Sequence, residues 1–220
     1  SSKMPKKIVR ALLLIAVAAM LPVSLFGCSD KSPANTGDTG NSAAPTESAQ
    51  SGEPSNGGSV TVGIAQDLDS LDPHKAVAAG SSEVLFTIFE GLMKASSDGG
   101  VVPAVASDYT ISEDGTTYTF TMREGVTFHN GDPVTVEDVI YSLERCAGSE
   151  NDGTPLISAF SNVTDITATD AAHVAVTLEK PTLEFTYSMT AAIIPAGSGA
   201  DMASAPVGTG PFSFASYSPQ

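Results

Sequence analysis

The first 57 residues place the strongest constraint on how this chain folds, because they are expected to stay outside any folded core. Four basic residues and no acidic residue lie in the first ten positions, and a largely apolar run follows from Ala11 to Phe26. This run is short for a transmembrane helix, and its positively charged flank is typical of a secretory signal peptide. We therefore expect residues 1–27 to direct export and then to be removed.

The export segment ends in Leu25-Phe26-Gly27-Cys28, which resembles the lipobox of bacterial lipoproteins. The resemblance implies that Cys28 is acylated and anchors the protein to the outer face of the cytoplasmic membrane, on its extracellular or periplasmic side. The alternative is an ordinary secretory signal with an incidental cysteine. Residues 29–57 are dominated by Ser, Thr, Gly, Asn and Pro. Such a stretch buries too little surface to offset its conformational entropy, so residues 28–57 are predicted to form a disordered tether.

Charge and cysteine content limit which partners the chain is expected to bind and which disulfides it can form. The first 27 residues hold four of the ten basic residues and none of the 25 acidic ones, so removing them leaves a formal charge of −19. A chain this acidic is not expected to bind nucleic acid or anionic lipid through its general field. Once Cys28 is acylated, Cys146 is the remaining cysteine, and no intrachain disulfide can form. Its place on a predicted helix indicates a buried, inert thiol rather than a nucleophile.

The globular part begins near residue 58 with a strand pattern followed by a helix pattern. Apolar and small residues alternate from Val60 to Ile64, which predicts a strand. Either Ser81 or Ser82 is a predicted N-cap for a helix that runs to about Met93. Weaker patterns predict a helix over residues 182–190 and a strand at residues 212–214.

The middle of the chain carries the clearest local signals. Asp114-Gly115 predicts the turn of a hairpin over residues 111–122, because glycine tolerates a positive φ. Thr135, followed three residues later by Asp138, predicts the capped start of a helix that runs from Val136 to about Ala147. Two further strands are predicted at residues 163–168 and 173–178. Hairpins interspersed with helices indicate a mixed α+β or α/β fold rather than a regular Rossmann succession.

The order of several short motifs resembles that of a known family. The motifs are Leu71-Asp72-Pro73, Glu90-Gly91-Leu92, the Asp114-Gly115 turn, Arg123 to Gly131, Thr135 to Tyr141, and Val207 to Phe212. Each motif alone has a plain structural explanation as a turn, a cap or a tight backbone path. Together, behind a lipobox, they resemble the extracellular solute-binding proteins of the peptide, dipeptide and nickel class, family 5, which deliver ligands to ABC importers. The resemblance covers Val60 to Phe214.

The resemblance implies a lobe one of periplasmic-binding-protein type with an inserted α+β subdomain. Residues 58–90 and 181–220 would form part of lobe one, and residues 91–180 would form the insert. Members of the family are considerably longer than this chain. We therefore expect that the chain is an N-terminal fragment that lacks the second lobe, and that Gln220 is not a natural C-terminus.

The function implied by the resemblance is capture of oligopeptides or dipeptides outside the cell. The partners would be permease subunits with cytoplasmic ATPases, and no catalytic residue, cofactor or metal is expected. Ligand contacts are expected after the first strand and at the start of the next helix, where the candidates are Ala76, Ser81, Ser82 and Glu83. For the two serines, simple helix capping is the alternative role.

Two other classes of function stay open at this point. One is a surface interaction lipoprotein without a transport role, and another is a binder of a different solute, such as a nickel chelate or a sugar. An enzyme is disfavoured because the sequence contains no G-x-S-x-G elbow, H-E-x-x-H pair or P-loop. The three histidines, His74, His129 and His173, are far apart in sequence, which argues against a metal site built from them.

Overall fold

A four-stranded antiparallel sheet forms the centre of the fold in the computed structural model, which describes residues 57–220. Its strands run in the order β3-β4-β6-β5. They are β3 (Ala106–Ile111), β4 (Thr117–Met122), β5 (Val163–Asp170) and β6 (His173–Leu178). A separate two-stranded ladder pairs β1 (Met93–Ala95) with β2 (Val101–Pro103). The predicted hairpins and the strands at residues 163–168 and 173–178 are therefore confirmed.

The β3–β4 hairpin turns where the sequence predicts. The Gly115 N–H donates to the Ser112 carbonyl at 2.9 Å, and Gly115 has a φ of +73°. Along β4 the side chains alternate between the two faces of the sheet, so that Tyr118 and Phe120 are buried. Local turn chemistry and a two-residue period are sufficient to specify this element.

Helix α2 (Val136–Cys146) covers the sheet and begins with the predicted cap. The Thr135 backbone N–H donates to Asp138 Oδ2 at 2.8 Å. Val139, Leu143 and Cys146 lie on the buried face of the helix and are at most 1% exposed. Burial raises the pKa of the Cys146 thiol, which keeps it protonated, as expected of a buried, inert thiol.

Helix α1 (Ala79–Ile88) differs from the prediction at both ends. Its N-cap is Ala78, so the predicted capping role of Ser81 or Ser82 is wrong. Asp69, nine positions before Ala78, provides the acceptor instead, because its Oδ2 accepts the Val77 and Ala78 N–H groups at 2.8 and 3.2 Å. The helix ends at Ile88 rather than near Met93, and Met93 begins β1.

The strands predicted at residues 60–64 and 212–214 are absent from the described part of the chain. Val60, Val62 and Phe212 are 63%, 67% and 50% exposed, and neither segment joins a ladder there. A strand needs a neighbour to accept its backbone hydrogen bonds, and neither segment has a paired strand among residues 57–220. The helix predicted over residues 182–190 is limited to α3 (Phe185–Ser188).

Two buried clusters hold residues 59–220 together as one unit. The larger lies between the sheet and α2 and also includes Phe185, Met189 and Ile193. It therefore crosses the boundary at residue 180 that the predicted subdomain division uses, and that division stays a prediction. The smaller cluster packs α1 against the segment at Ala192–Met202.

None of the helices between residues 57 and 220 combines the length and the apolar character that a membrane crossing requires. The predicted signal segment, the predicted lipidation site Cys28 and almost all of the predicted tether lie outside the described residues.

Candidate functional site

The loop that leads into α1 and the first turns of the helix border a shallow groove of about 190 Å³. Two of the predicted ligand residues, Ala76 and Ser82, line it, while Glu83 is exposed to solvent. The other side chains that line the groove include Leu85, Phe86, Phe89 and Tyr187. Phe86 and Tyr187 are 55% and 48% exposed, so the groove presents aromatic surface to solvent.

Ser81, the remaining predicted ligand residue, is buried and takes part in the loop itself. It is 1% exposed, and its Oγ accepts the Asp69 N–H at 3.1 Å. Hydrogen bonds from Ser81 and from the Val77 N–H lower the pKa of Asp69 to about 2, so that Asp69 stays ionised. Ser81 thus stabilises the loop, and Ser82 is the serine whose side chain borders the groove.

A buried network centred on Arg145 attaches this loop to α2. Arg145 Nη1 and Nη2 donate to the two carboxylate oxygens of Asp72 at 3.0 and 2.7 Å, and both residues are 2% exposed. Arg145 Nε donates to Glu150 at 3.0 Å, and Nη2 also donates to the Gly199 carbonyl at 3.3 Å. A further donation from Nη1 reaches His74 Nδ1 at 2.9 Å. All five N–H groups of the guanidinium therefore have an acceptor.

The hydrogen bonds of His74 define its protonation state. Arginine is always charged, so its Nη1–H is a donor and His74 Nδ1 must accept. His74 Nε2 then carries the proton and donates to the Ala192 carbonyl at 2.7 Å. Burial lowers the pKa of His74 and the Arg145 charge lowers it further, against the raising effects of the Ala192 hydrogen bond, Asp72 and Glu150. The ring is therefore neutral at pH 7.

Asp72 is the charged partner that balances Arg145. Burial alone would raise the pKa of Asp72, but the Arg145 hydrogen bonds, the His74 N–H at 3.0 Å and the Arg145 charge lower it overall. The Asp72 carbonyl also accepts the Lys75 and Ala76 N–H groups at 3.1 and 3.0 Å. Asp72 thus closes the turn that places Ala76 at the groove, and it also joins that turn to α2.

A second junction connects two of the family motifs. His129 Nε2 donates to the Gly210 carbonyl at 2.8 Å, and the His129 N–H donates to the Gly208 carbonyl at 3.0 Å. The Gly210 N–H donates to the Ile88 carbonyl at the end of α1, also at 2.8 Å. A Cβ on Gly208 would lie 2.3 Å from Ile88 O, and one on Gly210 would lie 2.6 Å from Thr87 O. The Val207 to Phe212 motif therefore follows a tight backbone path past the end of α1, which the two glycines allow.

The three histidines occupy three different settings. His74 is in the buried network, His129 packs against residues 208–210, and His173 pairs with Asp170 on the exposed β5–β6 hairpin. Within residues 57–220 no group of three or more His, Cys, Asp or Glu side chains is placed to hold a metal ion. Arg145 is not identified from the sequence as part of a buried network. The one indication in the sequence is that this arginine lies directly beside a position on the buried face of an amphipathic helix.

Comparison with known proteins assigns the family. The family model for bacterial extracellular solute-binding proteins, family 5 middle, matches residues 100–220, more than half of the chain. The chain belongs to this family. The predicted resemblance is confirmed, and members of the family are solute-binding proteins rather than enzymes.

This family 5 protein is similar both to characterised proteins and to solved structures. The glutathione-binding protein GsiB of Salmonella typhi is 32% identical over 160 residues, which make up 70% of this chain and 31% of that protein. The PBP AgaA from A. tumefacien R10, in complex with agropinic acid, has a TM-score of 0.63 at 30% identity, over 70% of this chain and 32% of that one. The periplasmic binding protein DppA from Helicobacter pylori, in complex with peptide STSA, has a TM-score of 0.61 at 25% identity, over 70% and 36%.

These likenesses confirm the predicted mixed α/β fold of periplasmic-binding-protein type. The chain spans about a third of the length of the relatives that it matches.

Proposed function

We propose that this protein captures peptides outside the cell and delivers them to an ABC importer. Membership of family 5 carries the proposal, because members of this family are extracellular solute-binding proteins. Two relatives support peptides as the ligand class: one binds glutathione, itself a tripeptide, and another was solved with peptide STSA. No step of chemistry is required of the protein, and it works with permease subunits and their ATPases.

We place the ligand contacts of this part of the protein at the groove beside α1. Ala76 and Ser82 line the groove, and Glu83 lies exposed beside Ser82. The Ser82 hydroxyl offers a donor and an acceptor to a peptide group, and the aromatic side chains Phe86 and Tyr187 offer apolar contact. Ser81 contributes indirectly by holding the loop through Asp69.

Uptake by cells tests this proposal. Deleting the gene in the bacterium that carries it is expected to abolish uptake of labelled peptide, with glutathione and a Ser-Thr-Ser-Ala peptide as probes. Restoring the gene with Ser82→Ala should leave the half-saturating peptide concentration about threefold to tenfold higher, since one hydrogen bond is lost. The matched control is Ser107→Ala, at an exposed position on β3, which should restore uptake fully.

The same deletion strain separates the alternatives. Loss of nickel–histidine uptake or sugar uptake with peptide uptake unchanged would replace peptides as the ligand class. Unchanged uptake of every probe would contradict the transport role and favour a surface interaction lipoprotein.

We also propose that Cys28 anchors the protein by a lipid at the outer face of the cytoplasmic membrane. The Leu25 to Cys28 motif and the polar stretch that follows it support the proposal. Cys28→Ala is expected to move the protein out of the membrane fraction or to leave the signal segment uncleaved, as immunoblots of cell fractions would show. The matched control is Cys146→Ala, which removes the other cysteine and should leave membrane retention unchanged. Normal processing and retention of the Cys28→Ala variant would contradict a lipid anchor.

A further inference from the structure

We infer that the contact between His74 and Arg145 is a proton-sensitive latch, which holds the loop at Asp72–Ala76 in place near neutral pH and releases it in acid. The inference rests on the proposed function only in that this loop borders the proposed ligand groove. The latch itself is a property of the buried network and needs no ligand to be observed.

The direction of one hydrogen bond makes the contact sensitive to protonation. His74 Nδ1 lies 2.9 Å from Arg145 Nη1, and the guanidinium has only donors to offer. The contact therefore exists only while Nδ1 is unprotonated. A proton on Nδ1 would place two N–H donors against each other and add a positive charge beside a positive charge.

The charged groups around the ring already take part in other hydrogen bonds. Asp72 and Glu150 are the negative charges that act on the ring, and Arg145 is the positive one. The Asp72 oxygens accept from Arg145 and from the His74 backbone N–H, and the Glu150 oxygens accept from Arg145 Nε and the Tyr141 hydroxyl. From the opposite side the segment at Ala192 contributes a carbonyl oxygen, which already accepts the Nε2 proton. Among residues 57–220 the one hydrogen-bond partner of Nδ1 is Arg145 Nη1, which is itself a donor, so a proton on Nδ1 would have no acceptor where the ring stands.

The position of His74 in the chain links its ring to the groove. His74 lies two residues before Ala76, inside the turn that the Asp72 carbonyl closes by accepting the Lys75 and Ala76 N–H groups. When the protonated ring leaves its site, the turn loses the two side-chain bonds of His74, to Arg145 Nη1 and to the Ala192 carbonyl, and is held to α2 by Asp72 alone. Burial lowers the pKa of His74 below its ordinary 6.5, which agrees with a closed state that resists protonation.

The sign of the pH dependence follows from linkage. The closed loop binds the proton on His74 more weakly than the open loop does. Opening therefore becomes more favourable as the pH falls below the ordinary His value of 6.5. One coupled proton makes the open fraction rise by at most about tenfold per pH unit, until the closed state itself titrates.

Hydrogen exchange of the whole chain tests the latch directly. The observable is the protection of the Lys75 and Ala76 amides, expressed relative to their intrinsic exchange rates so that the pH dependence of the chemistry cancels. Between about pH 7 and about pH 5 we expect this protection to fall by more than about threefold in the unaltered protein. In His74→Gln, whose side chain is neutral throughout, it should stay within about twofold over the same range.

The matched control is His173→Gln, which removes the exposed histidine on the β5–β6 hairpin and should keep the full pH response of the unaltered protein. An NMR titration of the His74 ring supplies a second readout in the unaltered protein, which does not depend on whether a variant folds. Constant protection down to about pH 5, or a His74 ring that titrates at its ordinary 6.5, would overturn the inference. Because neither measurement uses a ligand, failure of the latch is distinguishable from failure of the peptide-binding proposal.

Discussion

Arg145→Ala is expected to lower the free energy of unfolding by about 3–5 kcal/mol, because it leaves Asp72 as a buried charge without its partner. Both carboxylate oxygens of Asp72 accept from Arg145, and Asp72 is 2% exposed. The substitution also removes the donors to His74, Glu150 and the Gly199 carbonyl. Urea denaturation of the variant and the unaltered chain, side by side, measures the difference.

The matched control for this prediction is Lys94→Ala. Lys94 forms a surface ion pair with Glu90 at 3.5 Å, and its side chain is 52% exposed, so its removal should cost less than about 1 kcal/mol. A double-mutant cycle with Asp72→Ala adds a second test, since the double variant no longer buries an unpaired charge. Its cost should fall well below the sum of the two single costs. Two results would show that the network does not hold the loop. One is a double variant whose loss of unfolding free energy equals the sum of the two single losses, and the other is an Arg145→Ala variant as stable as Lys94→Ala.

The elements that the sequence predicts correctly have determinants within a few residues of one another. The turn at Asp114-Gly115 depends on Ser112 and Thr116, both of which bond to Asp114. The start of α2 depends on Thr135 and Asp138, three positions apart. Alternation along β4 shows its buried face directly. Short-range interactions of this kind can be predicted from a sequence without knowledge of the fold.

The elements that the sequence predicts wrongly depend on distant partners. A strand at residues 60–64 needs a paired neighbour, and its alternation alone cannot provide one. The start of α1 is determined by Asp69 rather than by a serine in the helix itself. The Asp72–Arg145 pair joins residues 73 positions apart, and nothing near either residue in the sequence specifies the other. Ser82 lies at the groove, and its predicted role as a ligand contact stays a prediction, while the buried position of Ser81 depends on the loop at Asp69, which returns to the helix.

Gly208→Ala is the second substitution from which we expect a large effect. It should lower the free energy of unfolding by about 3 kcal/mol or more, because the added methyl group meets backbone rather than a flexible side chain. The new Cβ would lie 2.3 Å from the Ile88 carbonyl oxygen and 2.7 Å from a ring carbon of Phe89. Relief requires the 208–210 segment to move away from α1. That movement would break the Gly210 N–H bond to Ile88 O and the contacts of His129 with both glycines.

Gly80→Ala is the matched control for Gly208→Ala, and its expected effect has the opposite sign. Gly80 lies in the first turn of α1, where a Cβ would meet nothing within 4 Å, so alanine there should stabilise the chain by about 0.4–1 kcal/mol, because it reduces the conformational entropy of the unfolded chain. Thermal unfolding of both variants under one set of conditions separates a crowded glycine from an open one. A Gly208→Ala variant that melts with the unaltered chain would mean that the segment has room to shift. The Val207 to Phe212 motif would then not be required for the tight backbone approach to α1.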